Sequence, residues 1–271
     1  MGVNGLNVLV TGGGSGIGLG CAEALVAAGA TVTIGGRTES RLVEAGERIG
    51  ARHVVVDVTD EASVVAAVAA ATAATGRLDG VVASAGGSET IGPITQIDVE
   101  AFRRTLDLNV TGTFLTLKHA GRQMARQGSG SFVGISSIAS PLTHRWFGAY
   151  GPAKAGIDHL CRAAADELGA SGVRVNSIQP GLVDTDLVSF ITVGGPVLED
   201  YLECMPVSRV GKPADIAAAA LFLLGTESEW VTGQNIAVDG GHTVRRGPDL
   251  RAALEPVFGA DGLRGLVDPE G

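Results

Sequence analysis

Cysteine, aromatic residues, long apolar runs and positive charge are all scarce in this chain, and each scarcity removes a class of protein. Its three cysteines, Cys21, Cys161 and Cys204, are odd in number, far apart and without a CxxC pair. That argues against a disulfide framework or a zinc site and fits a reducing cytoplasm. The longest apolar run, Ile216 to Leu224, has nine residues, well short of the roughly 20 that span a bilayer, so no membrane partner is expected. The opening MGVNGLNVLVTGGG has no positive n-region and carries Leu6 where a myristoylation motif wants Ser or Thr, so a cytoplasmic location is expected. Lys and Arg number 20 against 29 Asp and Glu, a net charge of -9. Nucleic acid is therefore not an expected partner, and any bound anion must be held locally.

What is present suits one compact folded unit. Of 271 residues, 45% are hydrophobic and 18% charged, and no Pro/Ser-rich linker or fixed-period repeat forces a boundary. Short apolar runs read as strands at Asn7 to Val10, Thr31 to Ile34, His53 to Val56, Gly80 to Ala83, Ser131 to Ile135, Arg174 to Ile178 and Asn235 to Val238. Between them lie Ala- and Leu-rich stretches with helical spacing, such as CAEALVAAG and GIDHLCRAAADELGAS. Apolar runs, unlike alternating ones, are buried on both faces. The expected fold is therefore α/β, a doubly wound parallel sheet of about seven strands with helices on both faces. We expect a single domain over 1–245 and a C-terminal tail over 246–271.

In such a sheet the first βα turn is where a pyrophosphate lands. Here that turn is VTGGGSGIG. It fails the GxGxxG fingerprint, because the third glycine falls on Ile17, Leu19 or Cys21, but it fits TGxxxGxG from Thr11 through Gly12, Gly16 and Gly18. Glycines there let phosphate oxygens approach N–H groups at a helix N-terminus. A second stretch, AYGPAKAG at 149–156, puts Tyr150 and Lys154 four apart on one helix face. Alone, that pair is equally the furniture of a solvated helix. As a proton-transfer pair it needs the phenol, with a reference pKa near 10, lowered to about 7, which takes roughly 4 kcal/mol of extra phenolate stabilisation. Lys154 is expected to supply part of it.

Taken in order, these residues resemble the short-chain dehydrogenase/reductase family over Leu6 to Gly241. The resemblance rests on Thr11 to Gly18, Asp57 in VDV, ASAG at 83–86, Asn109 in LNVTG, Ser137 in GISS, Tyr150 with Lys154, and PGLVDT at 180–185. Ala83 and Ser84 depart from the usual asparagine pair, and Ala153 from a serine often found before the lysine. The resemblance implies a Rossmann-like fold and a carbonyl reductase or alcohol dehydrogenase activity on a small molecule. In it, Tyr150 exchanges the proton with the substrate oxygen, Ser137 orients that oxygen, and Asn109 holds a water linking Lys154 to solvent. It also implies a dinucleotide held by Gly12, Gly14, Ser15, Gly16, Ile17, Gly18, Asp57, Val58, Ala85, Gly86, Tyr150, Lys154, Pro180, Gly181, Val183 and Thr185. Each residue also has a plain structural reading: Ser137 as a strand-end hydroxyl, Asn109 as a helix asparagine bonding a carbonyl, Asp57 as a cap. The alternative to an enzyme is a nucleotide-sensing or scaffold protein on the same fold.

Cofactor choice turns on the end of the second strand, TVTIGGRTESRL. Gly36 stands where a carboxylate would meet the ribose of NAD, and Arg37 follows, able to fork onto a 2'-phosphate. NADP(H) is favoured, with NAD(H) the alternative. The substrate should be bordered by IASPLTHRWFG and LVSFITVGGPVLEDYLECM, both mostly apolar. This favours a hydrophobic carbonyl or secondary alcohol such as an acyl thioester, steroid or terpenoid ketone. His144 and Arg145 read as solvated loop charges in preference to anion contacts, and Trp146 and Phe147 as packing residues in preference to a substrate platform. The tail carries an apolar stripe at Leu250, Leu254, Val257, Phe258, Leu263, Leu266 and Val267. The stripe can pack on its own subunit or, as the resemblance to a family of symmetric dimers and tetramers implies, cross a subunit interface, and the second is favoured because the sheet's faces should already be covered by the chain's own helices.

Overall fold

The computed structural model describes residues 2–266. The apolar runs form seven strands: β1 (Asn7–Thr11), β2 (Thr31–Gly36), β3 (Arg52–Val55), β4 (Gly80–Ala83), β5 (Gly130–Ile135), β6 (Val173–Pro180) and β7 (Asn235–Val238). All pair in parallel, in the order β3-β2-β1-β4-β5-β6-β7. Ten α-helices accompany them among the described residues: α1 (Gly16–Ala27), α2 (Glu39–Ile49), α3 (Glu61–Ala73), α4 (Val99–Leu106), α5 (Gly112–Gln127), α6 (Tyr150–Leu168), α7 (Ser189–Thr192), α8 (Pro196–Cys204), α9 (Pro213–Leu224) and α10 (Arg251–Leu263).

Strand geometry sends successive side chains to opposite faces, so each buried strand serves two cores. Val8 and Val10 of β1 pack with α1 and α9 on one face, through Leu25, Ile216 and Ala220. Leu9, between them, packs on the other face with α3, α5 and α6, through Ala71, Ala120 and Ile157. This two-sided burial is why the central strands read as unbroken apolar runs. The edge strands β3 and β7 are the exceptions. β3, like β5 and β6, starts one residue earlier than expected, with Arg52 and His53 exposed and Val55 49% exposed. β6 runs beyond the expected Ile178 to Pro180, whose carbonyl accepts a hydrogen bond from the Ile138 N–H.

The order of strands reverses between β1 and β4, and a ligand crevice forms outside the carboxyl ends at such a switch. The turns after β1, β4, β5 and β6 all open there. A small third core of Leu182, Ile191, Tyr201 and Met205 holds α7 and α8 over that end. The tail braces this cover. Arg246 forks onto Asp200 of α8, Leu250 and Leu254 are buried, and the Phe258 ring covers Gly92 so closely that a Cβ there would lie 2.7 Å from it. The tail's apolar stripe is thus divided, because Val257 and Leu266 face outward, 73% and 57% exposed. Val267 lies outside the described residues. Helix α10 contains Pro256 and leaves helical geometry at Gly259.

Candidate active site

The groove begins where β1 ends. Gly12 turns the chain with φ +68°, and a Cβ at Gly18 would lie 2.3 Å from the Gly12 carbonyl oxygen, so only glycine lets α1 start this close to the strand. A groove of about 420 Å³ runs from this turn past Ala85 and Gly86 to Tyr150, Lys154 and the Pro180–Gly181 turn. Ser15, Gly16, Ile17, Val183 and Thr185 also line it. Gly14 lies in an adjoining depression with Arg41 and Arg48. Gly18, Arg37, Asp57 and Val58 do not line the groove itself. Arg37 is exposed beside Asp57. Asp57 stands two residues beyond β3, where the Thr59 N–H and hydroxyl bond its carboxylate at 2.9 and 2.8 Å and hold its pKa below the usual value. Val58 is buried against Gly112.

At the inner end of the groove the other candidates meet. Helix α6 starts at Tyr150, with Pro152 in its first turn, where a missing N–H costs no intrahelical bond. One turn on, Lys154 is 5% exposed and its Nζ lies 5.4 Å from the centre of the Tyr150 ring. That ammonium donates to the Ile135 carbonyl at 3.0 Å, and the Ser136 hydroxyl ties the Lys154 carbonyl at 2.9 Å. Ser137 hydrogen-bonds the Tyr150 phenol. Asn109 is fully buried behind them, in a wide π-type turn at Asp107–Thr111 between α4 and α5. Its amide donates to the Gly87 and Thr105 carbonyls at 2.7 and 2.8 Å, and its Oδ1 accepts from the Gly87 N–H at 3.3 Å. The structure therefore brings Ser137, Tyr150 and Lys154 to one wall, with Asn109 one layer behind.

The direction of the phenol's titration corrects the expectation from sequence. Burial pushes the Tyr150 pKa above its ordinary value, and the Ser137 hydrogen bond only partly opposes this. Burial also pulls Lys154 down to about 8, against the attraction of Asp158. Desolvation disfavours both charged forms, and Tyr150 is a protonated donor in the unliganded protein.

On the far side of Tyr150 and Ser137 opens a second cleft of about 400 Å³, walled largely by apolar groups such as Ile138, Leu182, Phe190 and Ile191. Ser137, Tyr150, Gly181, Leu187 and Val188 border both spaces. His144, expected as a solvated charge, lines this cleft half-buried, and burial lowers its pKa, which keeps the ring neutral. Phe147 also lines it, 6.0 Å from the Tyr150 ring and 5.4 Å from His144, so it is not simple packing. Trp146 stays outside the cleft, with the Arg145 guanidinium 4.3 Å over its ring. Tyr201 of α8 lines the cleft and was not among the candidate residues. The available signal was scarcity: the chain has two tyrosines, and the second lies inside a stretch already expected to border substrate.

Comparison with known proteins agrees with this architecture. The family described as Enoyl-(Acyl carrier protein) reductase matches residues 12–243, and the chain belongs to the short-chain dehydrogenase/reductases. It is an oxidoreductase of that family, whose members use NAD(P)(H). A cis-4-hydroxycyclohexanecarboxylate dehydrogenase of Sinomonas cyclohexanicum is 40% identical over 87% of this chain and 95% of its own. A 2,5-dichloro-2,5-cyclohexadiene-1,4-diol dehydrogenase of Sphingobium indicum is 37% identical over 89% of this chain and 98% of its own. The solved structure of a short-chain type dehydrogenase/reductase from Mycobacterium ulcerans superposes with a TM-score of 0.97 at 56% identity, covering 98% of this chain and all of that one.

Proposed function

We propose that this protein interconverts a ring-borne secondary alcohol and its ketone, with NADP(H) preferred and Tyr150 as the acid/base group. One observation carries the reading. Tyr150 and Ser137 stand in the wall shared by a groove shaped for a dinucleotide and an apolar cleft of about 400 Å³, a size within the range of small-molecule sites. The relatives' names, a hydroxycyclohexanecarboxylate dehydrogenase and a cyclohexadienediol dehydrogenase, support a cyclic alcohol over a long acyl chain or a steroid.

The residues present fit the cofactor. Gly86 leaves open a space in which a Cβ would lie 2.6 Å from Asn109 Oδ1 and 3.1 Å from Lys154 Nζ, so backbone and ammonium face the groove with nothing between them. Gly12, Ser15, Gly16 and Ile17 at the N-terminus of α1 would hold the pyrophosphate, Lys154 and Tyr150 the ribose, and Val183 and Thr185 the far end. Gly14 and Arg37 would sit at the adenosine end. A bound nicotinamide supplies the hydride donor or acceptor. Tyr150, protonated because it is buried, gives its proton to the substrate oxygen during reduction, and Ser137 bonds that oxygen and the phenol together. Lys154 lies against the ring on which negative charge then develops, and its own pKa near 8 leaves it mostly charged at neutral pH. Asn109 fixes the turn after β4 through both Gly87 hydrogen bonds. The protein works as one domain in a homo-oligomer, a dimer or tetramer, with Val257 and Leu266 at a subunit interface.

Tyr150→Phe tests the assignment. The variant should bind cofactor within a few fold of the parent while turnover of cyclic alcohols falls by about 10² or more, the scale of a lost general acid/base. Near-normal turnover in a folded variant refutes the mechanism.

A further inference from the structure

The substrate cleft has a second polar end. From Tyr150 the wall continues through Phe147 to His144, in ring-to-ring steps of 6.0 and 5.4 Å, and then to Tyr201, 6.3 Å from His144. His144 Nδ1 lies 2.9 Å from the Leu142 carbonyl, which can only accept, so Nδ1 carries the hydrogen and Nε2 presents a lone pair. Tyr201 is 4% exposed, and its hydroxyl meets no protein partner among the described residues. Neither does His144 Nε2. Both side chains line the cleft, and both polar atoms open into it instead of being sealed inside the protein, so a substrate group can meet them. Behind them His242 is fully buried, its ring 5.6 Å from Tyr201 and 5.8 Å from His144, and its Nε2 is held by the Arg246 carbonyl. The two groups are thereby fixed in a packed aromatic wall.

The chemistry of this end is specific. A phenol donates and a neutral imidazole nitrogen accepts, a pair matched by a group that can do both. Among the described residues no cation lines the cleft, and the one formal charge there, Glu89, is tied at 2.7 Å to Arg104. A carboxylate would face the His144 lone pair with no positive partner. We propose that Tyr201 and His144 bind a second, uncharged hydroxyl of the substrate, so that this enzyme acts on cyclic diols or hydroxyketones in preference to hydroxy acids. The inference rests on the cyclic-alcohol reading above and adds the second recognised group.

Initial rates with cyclohexanol, 1,4-cyclohexanediol and 4-hydroxycyclohexanecarboxylate test it. The parent should favour the diol over cyclohexanol by about tenfold or more in kcat/KM, because a site built around a hydroxyl rejects the analogue that lacks it. The hydroxy acid should fall below the diol. Tyr201→Phe and His144→Phe, which keep the rings and remove the polar atoms, should each lose about tenfold on the diol, mostly in KM, and less than about threefold on cyclohexanol. A diol no better than cyclohexanol, a preference for the acid, or equal losses on both alcohols overturns the proposal. Binding separates this from the reaction itself. In Tyr150→Phe saturated with cofactor, calorimetry should show the diol binding about tenfold more tightly than cyclohexanol, and the added Tyr201→Phe change should abolish the difference. Such binding without turnover by the parent would count against the proposed reaction alone, and equal binding of the two alcohols would overturn the second hydroxyl site.

Discussion

Asp158→Asn should move the alkaline limit of activity to lower pH. Asp158 sits one helical turn after Lys154 on α6 and is 5% exposed. Its carboxylate accepts from Ser177 Oγ at 2.6 Å, Ser140 Oγ at 2.5 Å and Gln179 Nε2 at 2.6 Å, all neutral donors, and it raises the Lys154 pKa against burial. Two unit charges about 6–8 Å apart at an effective dielectric near 20 attract by about 2–3 kcal/mol, and water in the groove weakens this. Losing the charge should therefore lower the Lys154 pKa by about 1–2 pH units. An ammonium is charged below its pKa, so whatever depends on it is lost as pH rises through that value. The parent should lose kcat/KM near pH 8, the value to which burial brings Lys154, and the variant about 1–2 pH units earlier. With asparagine Oδ1 in the place of Asp158 Oδ2 it still accepts from Ser140 and Gln179, and its Nδ2 can donate to the Ser177 hydroxyl oxygen, which protects the fold. The assay is the pH profile of kcat/KM from about pH 5.5 to 9.5 with a fixed cyclic alcohol. A variant whose profile falls in height with its alkaline limb unmoved would show that Asp158 does not act through Lys154.

Two further outcomes are expected. Arg37→Ala should weaken NADPH binding more than NADH binding, measured by titrating cofactor fluorescence, since only NADPH carries the 2'-phosphate; equal losses remove the basis for the preference. Val257→Glu with Leu266→Glu changes two outward-facing apolar residues and spares Leu250 and Leu254, which are packed within the subunit. It should lower the oligomeric state seen by sedimentation, and an unchanged oligomer would leave the interface elsewhere.

The parts of the molecule legible in sequence are those that local chemistry determines. Period and apolar runs locate the seven strands because each is short and most are buried on both faces, and the differences are at their ends, where β3, β5 and β6 each start one residue earlier than expected. Tyr150 and Lys154 could be paired from their spacing because a helix turns by a constant angle. His144 and Tyr201 could not be paired, since their positions are 57 apart in the chain and only the packing of α8 over the sheet end brings them together. The phenol's titration escapes the sequence for a related reason: the nearness of Lys154 is visible in the spacing, but the burial that raises the Tyr150 pKa is a property of the assembled wall.

The π-type turn at Asp107–Thr111 has a bearing on length. There the Gly112 N–H reaches back to the Asp107 carbonyl, five residues earlier, so the stretch from Val99 to Gln127 holds one residue more than an unbroken α-helix of the same reach. Deleting that residue would let the α pattern close with the flanking turns in register. Leu115, Leu117, Ala120 and Met124 of α5 would go on facing the sheet, but the wide turn that aims Asn109 at Gly87 would be gone. The packing of α5 thus has no need of the extra residue; it serves the buried amide behind the groove, and a deletion here should cost the site while sparing the core.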